Sequence, residues 1–435
     1  MNFYSLNKKA PNVSYSEAVV KGLAPDRGLY FPENITPLPS SFFENIETMD
    51  NVDIAYEAIK QFIGDEIPET NLKDILADVL SFDFPVVPIA DNIGTLELFH
   101  GPTMAFKDVG ARFMARSLEY FNRNNDGHVT VLVATSGDTG GAVARGFLGI
   151  KGVDVVILYP NGAVSDIQER QLTTLGQNIK ALRIDGVFDD CQEMVKTAFL
   201  DESITNQRAL TSANSINVAR WLPQLFYFLI AYKQTKKLNK ELVFSVPSGN
   251  FGNICAGIVA NRLGLPVKHF IASVNVNDTV VNYLKTGNYE PKPSKATISN
   301  AMDVGNPSNF IRIQQLFDNS FEDLKKDFSS VSFNDDQTRE AMKEIKAKSG
   351  YIADPHGAVG YLGLKDYELS DNEYGIFLET AHPVKFADIV EDTLDTKVEI
   401  PEQIKGVLNK EKVFQSISKY EELKSYLLSD TEYKN

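Results

Sequence analysis

From about residue 95 the chain falls into a rhythm of short β-branched runs and helical stretches. The runs are TLELF (95–99), VTVLVA (129–134), VDVVILY (153–159), IKALRI (179–184), ELVFSV (241–246), VKHFIAS (267–273) and YGIFLET (374–380). Helical segments such as 140–148 and 253–263 lie between them. Strands apolar on both faces that alternate with helices form parallel sheets covered on both sides. Ligands in such sheets sit beyond the carboxyl ends of the strands, where loops lead into helices. The pattern therefore predicts an α/β fold and indicates where its chemistry belongs. Residues 1–94 stand apart, with a turn-rich opening and amphipathic helices over 53–62 and 71–80, and read as a structural appendage. The expected division is an N-terminal helical and mixed domain (1–94), a smaller α/β domain (95–220) and a larger α/β domain (221–435).

Composition narrows the function classes. The 435 residues are 43% apolar and 23% charged, enough for a real core. The net charge of -15 repels nucleic acid and anionic lipid, so neither is an expected partner. A phosphate compound can still bind, given backbone cradles and single placed cations. The longest apolar run, around 225–232, is far too short for a membrane span. The N-terminus lacks a basic start followed by an apolar core. Cys191 and Cys255 form no paired motif and read as thiols in a reducing compartment, so a cytoplasmic protein is expected.

Several strand ends carry chemistry-bearing residues. After the run 241–246, Gly249, Asn250, Phe251, Gly252 and Asn253 lead into a helix. Glycines allow a tight turn with exposed N–H groups, and the helix start adds free donors and its positive dipole end. That makes a phosphate cradle or a plain tight turn; it is neither a Walker loop nor a dinucleotide fingerprint. After 129–134, the loop TSGDTGG offers Ser136, Asp138 and Thr139 beside free amides, either for an anion or as a helix cap at Asp138 or Thr139. In HGPTMAFKDVGARF the apolar spacing starts a helix near Ala105 and puts Lys107 in its first turn. A helix N-terminus disfavours a cation, which lowers a lysine pKa and suits a nucleophilic amine. In SANSINVARWLPQ, Asn214 and Ser215 are either ligands or caps, and Arg220 either clamps an anion or makes a surface ion pair. ETAHPVKF offers Thr380 and His382 at a strand end. The five histidines show no metal-binding spacing, so no metal is expected.

No nucleophile elbow, kinase or GTPase signature is present. One amine, one phosphate cradle, one anion loop, one arginine and a hydroxyl at a strand end fit pyridoxal phosphate used as an electron sink.

The blocks HGPTMAFKD, TSGDTGGA, NSINVAR, VPSGNFGN, DVGNPSN, DPHGAVG and TAHPVKF, in this order, resemble the threonine synthases. The opening YSEAVVKGLAPDRGLYFP resembles that family's N-terminal domain, and the likeness runs from about residue 4 to about residue 390. It implies the type II pyridoxal phosphate fold, with two parallel-sheet α/β domains, and conversion of O-phospho-L-homoserine and water to L-threonine and phosphate. Carried onto this chain, it implies Lys107 as the Schiff-base lysine and Gly249, Asn250, Phe251, Gly252 and Asn253 as the cofactor phosphate site. It implies Thr380 at the pyridine nitrogen and Asp138 near the ring hydroxyl. Ser136 and Thr139 would hold the substrate carboxylate, and Asn214, Ser215 and Arg220 the substrate phosphate. A monomer or homodimer is expected.

Met104, Val384 and Val218 depart from residues common in the family, and bear on packing. The alternatives are another type II pyridoxal phosphate lyase, a serine or threonine dehydratase or a phospholyase, and a relative that binds without catalysis. Freed Lys107 is the expected acceptor of the α proton. The loop 286–309, rich in Pro, Asn and Ser, is long enough to have a function of its own.

Overall fold

A computed structural model describes residues 1–123 and 128–429. Its strands are β1 (Phe3–Ser5), β2 (Tyr30–Pro32), β3 (Val86–Ala90), β4 (Ile93–Glu97), β5 (Val129–Ala134), β6 (Val153–Pro160), β7 (Ile179–Ile184), β8 (Ala209–Thr211), β9 (Glu241–Pro247), β10 (Val267–Val274), β11 (Phe328–Ser332), β12 (Glu373–Glu379) and β13 (Gln415–Ile417). They form three sheets. The large one runs β11-β10-β9-β12-β4-β3, the small one β13-β7-β6-β5-β8, and β1 pairs with β2. The small sheet is parallel throughout. The large sheet is parallel except for the edge pair β3–β4.

Burial explains the apolar runs. Every residue of β5 and β12 is buried, as is all of β9 after Glu241. Both sheet faces are covered, so a polar residue on either face would lose its water. Helix Gly252–Arg262 is buried on all sides from Gly252 to Ala260 and carries small and apolar residues around its whole circumference. Helix Asn51–Ile63 buries only Ile54, Ala55, Ala58, Ile59, Phe62 and Ile63, the stripe expected of a surface helix. Its amino end is capped by the Asp50 side chain, which accepts from the Asp53 amide.

Strand pairing cuts across the domain boundaries expected from the sequence. β4, placed with the smaller domain, pairs in register with β12 of the large sheet, Leu96 beside Leu378. β13, placed with the larger domain, pairs with β7 of the small sheet. Pairing between distant segments leaves no trace in local periodicity, which is why chain order misassigned both. The chain passes from β4 to β5 through helix Lys107–Asn122, so Lys107 stands where the two sheets meet.

The N-terminal region is also more than an appendage. The Val19 carbonyl accepts from Asn217 Nδ2 (2.9 Å) and Thr211 Oγ1 (3.1 Å), and the Tyr30 carbonyl accepts from Arg312 (2.9 Å). The first 94 residues thus brace the loops that follow β8. No described helix is long and apolar enough to cross a membrane.

Candidate active site

The ends of β4, β5, β9 and β12 deliver the loops around one cavity. Its lining includes Lys107, Ser136, Asp138, Thr139, Asn214, Ser215, Arg220, Gly249, Asn250, Phe251, Gly252, Asn253 and Thr380. Apart from His382, every site residue singled out from the sequence therefore faces the same space.

Lys107 is the first residue of its helix, and the preceding residue gives no side-chain cap. The chain enters it through Phe106, whose amide donates to the Thr380 carbonyl (2.9 Å) and whose carbonyl accepts from the Tyr227 hydroxyl. Lys107 and Thr380 are thereby tied together across β12. Although the cavity reaches Lys107, the packed protein around it withholds bulk water. Burial is the largest cause that brings its amine down to about 8. Asp138 pulls upward, while Lys385 and Arg220 push further down.

Arg220 is close because helix Val218–Trp221 crosses Lys107–Asn122 at Gly110. A Cβ on Gly110 would stand 2.3 Å from the Arg220 carbonyl oxygen, so only glycine allows this approach. Arg220 is 2% exposed and makes no ion pair among the described residues. Its Nη1 donates to the Ala213 carbonyl (2.5 Å) and its Nε has no acceptor. Burial brings its guanidinium down to about 10. A buried cation without a carboxylate is poised for an anion from outside the chain. The surface ion pair weighed from the sequence is not formed.

Neither cap weighed from the sequence occurs at Asp138, Thr139, Asn214 or Ser215. Gly137 precedes helix Asp138–Phe147, and Thr135 Oγ1 accepts from the Gly137 (3.0 Å) and Gly140 (2.8 Å) amides. Asn217 caps the short helix bearing Arg220, accepting from Ala219. Asp138 is left facing the cavity. Burial opposes its ionisation, but Lys385 (2.7 Å) and then Lys107 hold its carboxyl well below the usual carboxylate range. Gln168 Nε2 also donates to it (2.9 Å). Asn214 Nδ2 donates to the Ala134 carbonyl, and Ser215 Oγ accepts from Asn309. Among the described residues, each still has one donor hydrogen without an acceptor.

The cradle after β9 has the form of an anion site. Phe251, at φ 59°, turns the backbone left-handed into helix Gly252–Arg262. Among the described residues, none of the amides from Gly249 to Asn253 finds an acceptor. The Asn253 side chain is buried, with neither its oxygen nor its nitrogen partnered. A Cβ on Gly249 would lie 2.9 Å from both the Ala301 oxygen and the Met302 Cα, so the cradle closes against the 300–304 turn only with glycine there. The Asn250 side-chain oxygen accepts from Ser308 (3.0 Å from the hydroxyl), joining the cradle to the long loop. These idle donors, with the Lys107 amine beyond them, fit a phosphorylated aldehyde.

Sequence reasoning overlooked four contributors. Lys385, fully buried beside Asp138, lies in TAHPVKF, where only Thr380 and His382 were singled out; a lysine among Pro383, Val384 and Phe386 was the available signal. His382 instead accepts from the Val384 amide (3.1 Å) and, desolvated, falls to about 4, so it is neutral. Asp303 and His356 also line the cavity. His356 bridges Asp354 (3.1 Å) to the Ala301 amide (3.2 Å) and so fixes the 300–304 turn. Arg312 donates to the Ser215 and Ile216 carbonyls from across the fold. Met104 and Val384, two of the departures noted, pack in one small cluster with Phe99 and Ile404.

The family model for pyridoxal-phosphate dependent enzymes matches residues 95–375. Those for the threonine synthase N terminus and the threonine synthase C-terminal region match 2–79 and 357–427. Threonine synthase of Escherichia coli K12 is 44% identical over 93% of this chain and 94% of its own. That of Saccharomyces cerevisiae is 35% identical over 94% and 93%. A crystal structure of the Escherichia coli enzyme superposes with a TM-score of 0.93 at 42% identity, covering 99% of this chain and all of the other. Pyridoxal phosphate-bound threonine synthase from Brucella melitensis gives 0.91 at 33%, with 98% of each chain covered. Maize serine racemase, at 15% identity and a TM-score of 0.50, shares the fold alone. With matches spanning the N-terminal region, the catalytic body and the C-terminal region, the chain belongs to the threonine synthases, pyridoxal phosphate enzymes of fold type II.

Proposed function

We propose that this cavity carries out the family reaction, conversion of O-phospho-L-homoserine and water to L-threonine and phosphate, with Lys107 as its central residue. The observation that supports it most is the pairing of an enclosed amine, brought down to about 8, with five idle amides at 249–253. When bound, pyridoxal phosphate supplies an electron sink for the pair released at the α carbon.

The rest is work for the chain's own side chains. The amides of Gly249 to Asn253 hold the cofactor phosphate without charge of their own. Thr380, tied to Phe106, would face the pyridine nitrogen with a hydroxyl rather than a carboxylate and leave that nitrogen less cationic. Asp138 would stand near the ring hydroxyl. Ser136 and Thr139 hold the substrate carboxylate at the amino end of helix Asp138–Phe147. Arg220, with no carboxylate of its own, takes the substrate phosphate, helped by the free hydrogens of Asn214 and Ser215. Lys107, as a neutral amine, would take the α proton; an amine near 8 is deprotonated often enough at neutral pH to do so. Loss of a β proton would let phosphate leave from the γ carbon, which takes up a proton to become the methyl group; water would supply the hydroxyl at the β carbon, and the α carbon would regain its proton.

The test compares phosphate release and the visible absorbance of the cofactor-loaded protein with O-phosphohomoserine, serine and threonine. Turnover of O-phosphohomoserine alone supports the reading. Equal or greater deamination of serine or threonine moves the protein to the dehydratases. A cytoplasmic location and a monomeric or homodimeric state belong to the same proposal. Both cysteines are buried and unbridged, in keeping with a reducing compartment, and sedimentation measures the assembly.

A further inference from the structure

Lys385 has no place in that scheme, yet its side chain is fully buried beside the cavity. It sits in the turn Pro383–Phe386, directly after the loop that carries Thr380. Its Nζ is 2.7 Å from Asp138 Oδ1 and 2.9 Å from the Thr103 carbonyl. The Thr103 carbonyl also accepts from Gln171 (3.2 Å), and Thr103 donates to Asp108 through its amide (2.9 Å) and its hydroxyl (2.6 Å). Lys385 thus clamps three pieces together: the segment leading into Lys107, the start of helix Asp138–Phe147, and the end of the β12 loop.

We propose that Lys385 is a positioning residue that occupies the Asp138 carboxylate and so keeps it from pairing with the Lys107 amine. The inference rests on Lys107 being the cofactor lysine. An amine forms a Schiff base only in its neutral form, because the bond to the aldehyde carbon is made by its lone pair. Among the described residues, Asp138 is the carboxylate that acts on Lys107, and it acts to hold the proton. A second buried ammonium at hydrogen-bond distance gives that carboxylate another partner.

The charged and titratable groups around the pair come from five elements, Tyr227 lying on helix Leu225–Thr235. Asp138 faces Lys107 from helix Asp138–Phe147, Arg220 from Val218–Trp221, and Lys385 from the 383–386 turn. Asp108, on the Lys107 helix itself, faces Lys385 and Arg220, and Tyr227 also faces Arg220. His382 lies near Lys385 and is neutral. Losing the Lys385 charge therefore leaves Lys107 as the remaining lysine beside Asp138.

The experiment follows acylation of Lys107 by acetic anhydride against pH in the full-length chain freed of cofactor, read by mass spectrometry. The parent should label with a midpoint near 8. Lys385→Met should raise that midpoint by about one pH unit or more, and Lys385→Arg, which keeps the charge, should restore it. Asp138→Asn should lower it, since the carboxylate that holds the proton is gone while Lys385 stays. Superimposable curves for the parent and Lys385→Met, or a rise with Lys385→Arg as large as with Lys385→Met, overturn the proposal. If circular dichroism shows that Lys385→Met is unfolded, Asp138→Asn decides: an unmoved or higher midpoint also overturns it. Because no cofactor is present, this failure is distinct from failure of the Lys107 assignment, which shows as cofactor absorbance surviving in Lys107→Ala.

Discussion

The two walls of the cavity offer groups suited to an anion inside an acidic protein, by different means. The wall after β9 uses neutral backbone: five amides without acceptors and a glycine that lets the 300–304 turn close in. The wall after β5 and β8 uses buried charge, with Arg220 unpaired and Asp138 between two lysines. Backbone dipoles cannot titrate, so the first wall should work alike over a wide pH range. Buried charges shift one another, so the second should respond to pH and to single substitutions. A permanent cofactor suits the first, and a substrate that must enter and leave suits the second.

The comparison breaks most sharply at Lys107, which serves both walls. Lys107→Ala should lower kcat by about 10³-fold or more and remove the visible absorbance of the bound cofactor; a variant that keeps half its rate ends the assignment. Arg220→Ala should raise KM for O-phosphohomoserine roughly 10- to 150-fold, the loss of a charged hydrogen bond worth about 1.5–3 kcal/mol. Cofactor loading, measured by absorbance titration, should not change; a fall there makes Arg220 a structural residue. Gly249→Ala should do the converse and weaken cofactor binding roughly 10- to 100-fold, from about 1–3 kcal/mol of overpacking against Ala301 and Met302. Unchanged loading would mean that the 300–304 turn yields freely.

A smaller effect follows from the lowered Lys107 amine. In the cofactor-free chain, the folded state sheds that proton near 8, while the unfolded chain keeps it to the ordinary lysine value of 10.5. Between those values the unfolded state binds more protons, so the Lys107 contribution makes stability rise with pH; below 8 it is flat. Urea unfolding of the parent against Lys107→Met isolates it, and equal pH slopes count against an enclosed amine. The smallest effect expected is at the Phe99–Met104–Val384–Ile404 cluster. Met104→Leu and Val384→Ala should each change stability by about 1 kcal/mol, and non-additively, because the two residues pack together.

What could be read locally was read well. The apolar runs, the helix expected near Ala105 that begins at Lys107, and the glycine-rich ends of β5 and β9 all follow from spacing and turn chemistry within a dozen residues. The neighbours of Lys107 were harder. The helix field suggested a lowered amine, but its main cause is burial, which depends on helix Val218–Trp221 reaching it across Gly110. Lys385 was invisible for the same reason: nothing near residue 385 announces an aspartate at 138.

The sequence by itself determined the kind of fold, the family and the set of residues at the strand ends, because periodicity, turns and motifs are short-range properties. The tertiary structure decided which sheet each strand joins, which carboxylate meets which lysine, and which donors are left idle. Those depend on pairings between residues far apart in the chain, such as Lys385 with the Thr103 carbonyl 282 positions away, and on the exclusion of water that only the assembled sheets produce.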